Sequence, residues 1–587
     1  MIIKKVKRRQ SNNFTSFSHS LSKKIQQILH ARGVKSDSDL DYQLKHLLPF
    51  TNLKNINQAA ACLFDAIKDD KQILIVGDFD ADGATSSAVM IKSLKSFGAK
   101  HVGFLVPDRF KFGYGLSVKL VEHAATLNPD LIVTVDNGIA NIEGVDKANH
   151  LGIPVIITDH HLAADTLPEA LAIVNPNQPD DAFDSKNLAG VGVAFYLMLA
   201  LRALMREKNW FAEKNIEEFN LAEMLDIVAL GTVADVVPLD RNNRILVEQG
   251  LKRIRSGLAC AGIKAILKVA NRDETKCQAS DLGFAVGPRI NAAGRLDDMS
   301  VGINCLLSES LEQAIPIAQR LDQLNHSRKN IEQEMLEQAN LDIDSYLSQS
   351  WAADNKTQRP TTLCLYDPQW HQGVIGILAS RVKDKINRPV IIFAKDEDAS
   401  DDNKGIIKGS ARSVKGVHIR DVLALIDSRH PHLIEKFGGH AMAAGLTISE
   451  DAFQHFADLF HQTTDFHLNG NKIDDEILTD GDLKDDELSI HFAKQIRAAG
   501  PWGQAFPEPL FDDIFTVINS RIVGENHLKL VVEKDSVMVD AIFFRCPVEL
   551  MAQEGDQVNL VYKLDINEFR GNETVQLMVE QLEILFD

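Results

Sequence analysis

The sequence predicts an α/β protein built on a parallel sheet, a second α/β domain joined to the first by a long helix, and an all-β barrel at the C-terminal end. Three observations carry this. Short β-branched runs alternate with helix-compatible segments from about residue 70, the pattern of a parallel sheet covered on both faces. Beyond Pro316, apolar residues recur every three or four positions. The last part of the chain holds β-rich segments separated by turn residues.

In order, the first sheet takes strands from Ile73–Val76, Val102–Val106, Leu131–Val135, Val155–Thr158 and Leu171–Val174, with a helix starting at Thr85 after turn and capping residues. The uncharged run from Leu188 to Leu201 is shorter than the ~20 residues of a membrane span and reads as a buried helix. The connecting helix carries Ile317, Leu321, Leu324, Ile331 and Met335 on one stripe, with Arg328 among them. Thr361–Tyr366 and Val390–Phe393 are strands of the second α/β segment, and Asp396–Asp402 reads as an acidic loop. Five strands over 514–523, 527–533, 536–544, 556–565 and 573–585 fit a small barrel, of the OB type or a generic sandwich.

The domain boundaries expected are 1–50 for a basic N-terminal arm and helical segment, 51–310 for the first α/β domain, 311–350 for the connecting helix, 351–465 for the second α/β domain, 466–510 for an acidic, proline-containing linker and 511–587 for the barrel. The arm carries eight Lys or Arg and no acid over residues 1–33, which suits either a solvated arm or a nucleic-acid contact. It lacks the apolar core of a secretory signal.

At 45% hydrophobic and 25% charged, the 587-residue chain is of globular composition, which excludes collagen, low-complexity disorder and a disulfide scaffold. A formal charge of −19 argues against indiscriminate nucleic-acid binding but leaves room for a local basic groove. The six cysteines are scattered without a CxxC pair, as expected of reduced thiols in a cytoplasmic protein, and offer no zinc or redox motif.

Three of the sheet strands run into acids: Asp78, Asp80 and Asp82 after the first, Asp136 after the third, and Asp159 with His160 and His161 after the fourth. Ligand sites of open α/β sheets lie beyond the carboxyl ends of the strands, so these clusters are expected to meet at one edge. Asp235, after another apolar stretch, is expected to join them. Carboxylates crowded without cations raise one another's pKa, and bound metal is the simplest relief. Oxygen-rich ligands with one or two imidazoles and no thiolate point to Mn²⁺ or Mg²⁺. A bridging carboxylate suits two ions about 3.5–4 Å apart, the arrangement that serves phosphoryl chemistry.

The fragments GDFDADG, TVDNG, TDHH and GTVADVVPL, in that order, resemble the motifs of the DHH phosphoesterase superfamily. GPRINAAGRLDD, LNHSRKN, SARSVKG and FGGHAMAAG further resemble the RecJ single-strand-specific exonucleases. The resemblance runs from about residue 50 to the C-terminus and implies a DHH catalytic domain, a DHH-associated substrate-binding domain and an OB-like nucleic-acid-binding barrel.

It also implies roles. Asp80, Asp82, Asp136, His160 and Asp235 match metal ligands, with Asp136 bridging two ions. His161 matches the histidine facing the scissile phosphate, and Asp78 and Asp159 match acids that orient ligands. Arg109 and Tyr114 lie where substrate passes. Ser410 and Arg412 match a terminal 5′-phosphate pocket, and Gly438, Gly439 and His440 begin a glycine-rich loop that backbone amides can offer to phosphate. Arg289, Asn291 and Arg295 either contact backbone phosphates or brace the acidic site. Val76 departs from the pyrophosphatase branch, which has histidine there.

The function implied is a Mn²⁺- or Mg²⁺-dependent 5′-to-3′ exonuclease. It hydrolyses single-stranded DNA to 5′-mononucleotides in repair and recombination, as a monomer, with single-strand-binding protein and a helicase as partners. The alternatives are a phosphodiesterase of the same superfamily acting on short oligonucleotides or cyclic dinucleotides, and a non-catalytic DNA-binding scaffold.

Overall fold

The computed structural model describes residues 4–10, 16–17, 20–108, 112–113, 115–164, 166–352, 361–396, 405–471, 473, 476–524, 526–547, 550–569 and 571–585. The chain divides into two compact units, one of Ser11–His326 with Arg497–Glu508, the other of Met1–Gln10, Ser327–Ile496 and Pro509–Asp587.

The first unit is built on a parallel sheet in the spatial order Val102–Leu105, Ile73–Gly77, Leu131–Val135, Val155–Thr158, Ala172–Val174. Its central strands are buried along their whole length, which is why their sequences show continuous rather than alternating hydrophobicity. The register places Gly77 beside Val135 and Val135 beside Thr158. The next residues, Asp78, Asp136 and Asp159, therefore leave the sheet at one level. Three helices, Ala81–Ser96, Gly190–Glu207 and Leu225–Ala234, pack together beside the sheet. The Leu188–Leu201 run supplies much of the second, and among the described residues no helix is long and apolar enough to cross a membrane.

The helix expected from Thr85 begins four residues earlier, at Ala81. Asp80 is the reason: its Oδ1 accepts from the amides of Asp82 (2.9 Å) and Gly83 (3.0 Å), satisfying donors that a helix start leaves open. The acids read as a turn are thus the cap and first turn of a helix.

The connecting helix spans Leu311–Ala352 and takes in Pro316. Its buried stripe is Ala314, Ala318, Leu321, Asn325, Arg328, Glu332, Met335, Ala339 and Ile343, while Ile317 and Leu324 are only half-buried. Arg328 holds its place on the stripe by pairing with Glu332 at 2.6 Å.

In the second unit a mixed sheet runs Lys436–Gly439, Ala443–Ser449, Ile406–Arg412, Val390–Lys395, Leu363–Tyr366, and only the last two strands are parallel to each other. The barrel is closed, from Phe511–Val523, His527–Lys534, Val537–Phe543, Asn572–Leu585 and Gln557–Phe569. Closure removes the free edges that an open sheet would expose. Most of the acidic loop Asp396–Asp402 lies outside the described residues.

Two expectations are corrected here. The N-terminal arm is not a free basic tail: Lys5–Arg8 forms a strand parallel to Glu476–Thr479. The stretch 466–510 is not a linker, since it holds that strand and the helix Ile490–Ala498, and residues 497–508 fold into the first unit, where Leu239 N donates to Gln504 O at 2.8 Å. Charge explains both. Lys7 pairs with Glu476 (2.9 Å), Arg8 with Asp482 (3.0 Å) and Asp512 (2.8 Å), and Arg9 with Asp480 (3.1 Å). The basic and acidic runs, each unremarkable alone, neutralise one another. Asp480 is almost fully buried, so Arg9→Ala takes a cationic partner from a carboxylate that water hardly reaches. The variant is expected to lose about 1–3 kcal/mol of stability in a urea melt. An unchanged midpoint would show the arm to be dispensable.

Candidate active site

Four chain segments converge beyond the carboxyl edge of the parallel sheet. Asp78, Asp80 and Asp82 come from the first strand and the helix start after it, Asp136 from the third strand, and His160 and His161 from the fourth. Asp235 arrives from a different direction, as the cap at the end of the buried helix Leu225–Ala234. His160 Nε2 lies 3.1 Å from Asp136 Oδ1, 3.5 Å from Asp235 Oδ2 and 3.9 Å from Asp82 Oδ2. Three triplets have donor atoms within 4.8 Å of one another: Asp136 with His160 and His161, Asp82 with His160 and Asp235, and Asp78 with Asp80 and Asp136. Asp136 belongs to two of them, the position a bridging ligand needs. Asp78, expected to act from behind the ligands, also has a carboxylate oxygen close enough to Asp80 and Asp136 to share a cation with them.

The electrostatics fit a cation site. Burial and the neighbouring Asp235 push the Asp82 carboxyl up to about 7. Burial and Asp80 push Asp235 up to about 8, and burial with the surrounding acids raises Asp136 well above the carboxylate range. This is the like-charge crowding that a divalent cation relieves. The donors are hard carboxylate oxygens with imidazole nitrogen and no thiolate, a set that suits Mn²⁺ or Mg²⁺. His160, lowered by burial and by the charge of His161, stays neutral and able to ligate.

Asp159 is hydrogen-bonded to both histidines. Its Oδ1 accepts from the amides of His160 (2.7 Å) and His161 (3.1 Å) and sits 2.7 Å from His161 Nδ1, while Oδ2 accepts from Ile139 N at 3.0 Å. Burial opposes ionisation of Asp159, but the charge and hydrogen bond of His161 hold its carboxyl at about 2. Despite its own burial, His161 is raised to about 9 by the charge and hydrogen bond of the same partner.

Sequence reasoning missed a second ring of residues. The helix Gly190–Glu207 aims its N-terminus at Asp82: Gly190 N donates to Oδ2 at 2.6 Å and Val191 N to Oδ1 at 2.9 Å. Both amides are donors that a helix start leaves open, and the positive end of the helix favours the carboxylate. Gly190 is required by close approach, since a Cβ there would lie 2.6 Å from Asp136 Cβ. Asn177 Nδ2 donates to His160 O (2.6 Å), Asn175 Nδ2 to His161 O (2.9 Å), and Asn137 Nδ2 to Val76 O (3.1 Å). The run Ala189-Gly190-Val191-Gly192 opening an apolar helix was the available signal for the first of these, and Asn175-Pro176-Asn177 after the last strand for the second.

Of the residues placed near substrate, Arg109 and Tyr114 lie outside the described residues. Asn291 braces the site: its Oδ1 accepts from Ala81 N at 2.8 Å. Arg289 pairs with Asp322 at 2.8 Å, and Arg295 is half-buried on the same helix.

In the second unit, Ser410 and Arg412 share one face of a strand, and Arg412 Nη1 donates to Ser410 Oγ at 3.1 Å while its Nε donates to Ser380 Oγ at 3.2 Å. Gly438 and Gly439 are not in a loop, as expected, but in an edge strand, and His440 starts the turn after it. Gly438 pairs with Gly445, and Gly445 with Ser410, so the row beside Ser410 is bare of side chains across two strands. Gly439, at φ 142°, abuts the backbone of Ala443 and Ala444. In the barrel, Phe543 and Tyr562 are core residues, and Phe544 is the half-exposed ring.

Three families match the chain: the DHH family, N-terminal domain, over residues 72–232; the DHHA1 domain over 360–464; and the RecJ OB domain over 479–581. The chain is 50% identical to the single-stranded-DNA-specific exonuclease RecJ of Dickeya dadantii and 49% identical to that of Escherichia coli, in each case over 98% of both chains. It is similar to the crystal structure of RecJ in complex with Mn²⁺ from Thermus thermophilus, with a TM-score of 0.76 and 28% identity over 95% of this chain and 76% of that one. The Mg²⁺ complex of the same protein gives a TM-score of 0.71 at 26% identity, over 96% of this chain and 75% of that one.

Proposed function

The chain belongs to the RecJ family of single-stranded-DNA-specific exonucleases, and from that membership we propose that it shortens single-stranded DNA from the 5′ end and releases 5′-mononucleotides with two divalent ions. It is a metal-dependent hydrolase using Mn²⁺ or Mg²⁺. The observation that carries the mechanism is the pair of donor triplets that share Asp136.

Asp80, Asp82, Asp136, His160 and Asp235, with Asp78 beside them, would hold the ions. Two ions bound there would activate water at neutral pH and offset the charge that builds on the phosphate oxygens. The remaining steps belong to the chain's own groups. The helix start at Gly190 and Val191 fixes both oxygens of Asp82, so the ligand does not swing between substrates. Asp159 holds His161 protonated and aimed, and the imidazolium N–H donates to a non-bridging phosphate oxygen of the substrate. No nucleophilic side chain is needed, so hydrolysis is direct and inverts at phosphorus.

Ser410 and Arg412 are proposed to take the terminal 5′-phosphate over the bare Gly445–Gly438 row, since a guanidinium binds phosphate oxygens in pairs. A strand with a 5′-phosphate is then degraded faster than one with a 5′-hydroxyl, and Arg412→Ala reduces that preference by about 10-fold or more. Rates on both strands measured with both proteins check it, and equal slowing of the two would make Arg412 a general backbone contact. The closed barrel is proposed to hold the strand that feeds the site. With few exposed rings among its described residues, it would bind through phosphate contacts from residues such as Arg521, Lys529 and Arg545 rather than by stacking. We infer further that the protein acts in the cytoplasm as a monomer, in repair and recombination, with single-strand-binding protein and a helicase as partners. Digestion of single strands labelled at either end, in Mn²⁺, tests polarity: early release of the 5′ label supports the reading, and early release of the 3′ label overturns it.

A further inference from the structure

Phe284 is the most exposed large apolar side chain among the described residues, at 86%. Two others directly follow residues of the acidic centre: Val236 (62%) after Asp235 and Leu162 (59%) after His161. Val236 also sits at φ 61°, a conformation that a β-branched residue adopts only under strain. An apolar side chain held in water by a strained backbone does nothing for the core.

Phe284 is the middle residue of a five-residue π-helical turn, Leu282–Val286, a local widening that recurs at functional sites. That turn is clamped to the acidic centre on two sides. A Cβ on Gly283 would lie 3.3 Å from Val233 Cγ1, and one on Gly287 3.1 Å from Ala234 Cβ, so the turn lies against the last turn of the helix that presents Asp235. The helical run then continues to Asn291, which caps Ala81, and to Gly294, which abuts the carbonyl of Phe79. The phenyl ring is thus mobile only about its own bonds, on an element fixed to the metal ligands.

We propose that Phe284 is a platform on which one unstacked base of the single strand rests, on the element that packs against the helix bearing Asp235, and that it contributes to the preference for single strands. The occupant follows from the setting. An exposed phenyl ring carries no charge or donor for a phosphate, but it offers a flat apolar face to the flat face of a base. Every base has such a face, so a contact of this kind is tolerant of sequence. In a duplex both faces of a base are covered by its neighbours and cannot take the ring. This inference rests on the nuclease reading above.

The test uses the full chain carrying Asp136→Asn, so that strands bind without being cut. Affinity is measured for a strand of about 12 nucleotides and for one of the same length with abasic sites near its 5′ end. Phe284→Ala is expected to weaken binding of the normal strand by about 5- to 100-fold and to leave the abasic strand unchanged. Phe284→Trp is expected to restore binding, with indole fluorescence quenched by the normal strand alone. Unchanged affinity for the normal strand would overturn the proposal, as would equal weakening for both strands, which would make Phe284 structural. A shift from dimer to monomer in sedimentation of Phe284→Ala would overturn it too, by assigning the face to a second copy of the chain. If the parent protein binds neither strand, the nuclease reading itself fails, a result distinct from any of these.

Discussion

Asp136→Asn is expected to lower cleavage of single-stranded DNA by about 1,000-fold or more, the loss of several kcal/mol of charge stabilisation in the transition state. Asp136 is the one carboxylate shared by two donor triplets, and its Oδ1 is 3.1 Å from the Nε2 of His160, the histidine that two triplets also share. Asparagine is the informative replacement. Asp136 lies at φ 62°, where Asn is tolerated and Ala is strained, so the variant changes charge without disturbing the backbone. A second readout is independent of turnover. In the metal-free protein the crowded acids repel one another, so removing one charge should leave the melting temperature equal or higher. Added Mn²⁺ should raise the melting temperature of the parent, by an amount corresponding to about 2.7 kcal/mol at one hundred times Kd, and should raise that of the variant far less. Near-normal cleavage by Asp136→Asn in Mn²⁺ would sink the two-ion mechanism.

Gly190→Ala is expected to cost about 100-fold in activity, although the residue touches neither substrate nor metal. A Cβ at this position would lie 2.6 Å from Asp136 Cβ and 2.8 Å from its Oδ1, and the Gly190 amide is one of the two that hold Asp82. Two candidate ligands would therefore move together, and displacements near 1 Å at a reacting centre cost about that factor. The overpacking should lower metal-free stability by about 1–3 kcal/mol, offset in small part by the helix preference of alanine. The Mn²⁺ concentration giving half-maximal stabilisation should rise. A collapse of the metal-free melt with an unchanged Mn²⁺ midpoint would make Gly190 a packing residue instead.

The local patterns of the chain were legible where one physical rule dominated. Strands buried on both faces must be continuously apolar, and such runs marked the inner strands of the parallel sheet within a residue or two, while the edge strand Val102–Leu105 is only half-buried. The barrel strands were legible for the related reason that turn residues separate alternating segments. The acids after the strands were legible as a site because parallel strands share one carboxyl edge. Less was visible where two remote segments had to be known together. Basic residues 4–9 and acidic residues 476–482 each read as solvated, and only their pairing makes them a two-stranded sheet. The glycines of FGGHAMAAG read as a loop because small residues are common in turns, while strand pairing with Ala444 and Gly445 decides otherwise.

What the sequence by itself determined is the list of chemical groups and their order: three strand ends bearing carboxylates and imidazoles, an acid after a later apolar stretch, a serine and an arginine two residues apart, and a run of β-strands fit for a small barrel after them. Periodicity and capping are properties of neighbours along the chain, and a single sequence contains them. What only the tertiary structure decided is how those groups are held. Asp235 enters from a helix rather than a strand, the start of the helix at Gly190 holds Asp82, and Asp78 joins the donor set. The π-helical turn at Phe284 comes to lie on the helix bearing Asp235. Each of these joins segments tens to more than a hundred residues apart, through backbone donors and close approaches that are not written in side-chain identity, because every residue carries the same amide and only folding aims it.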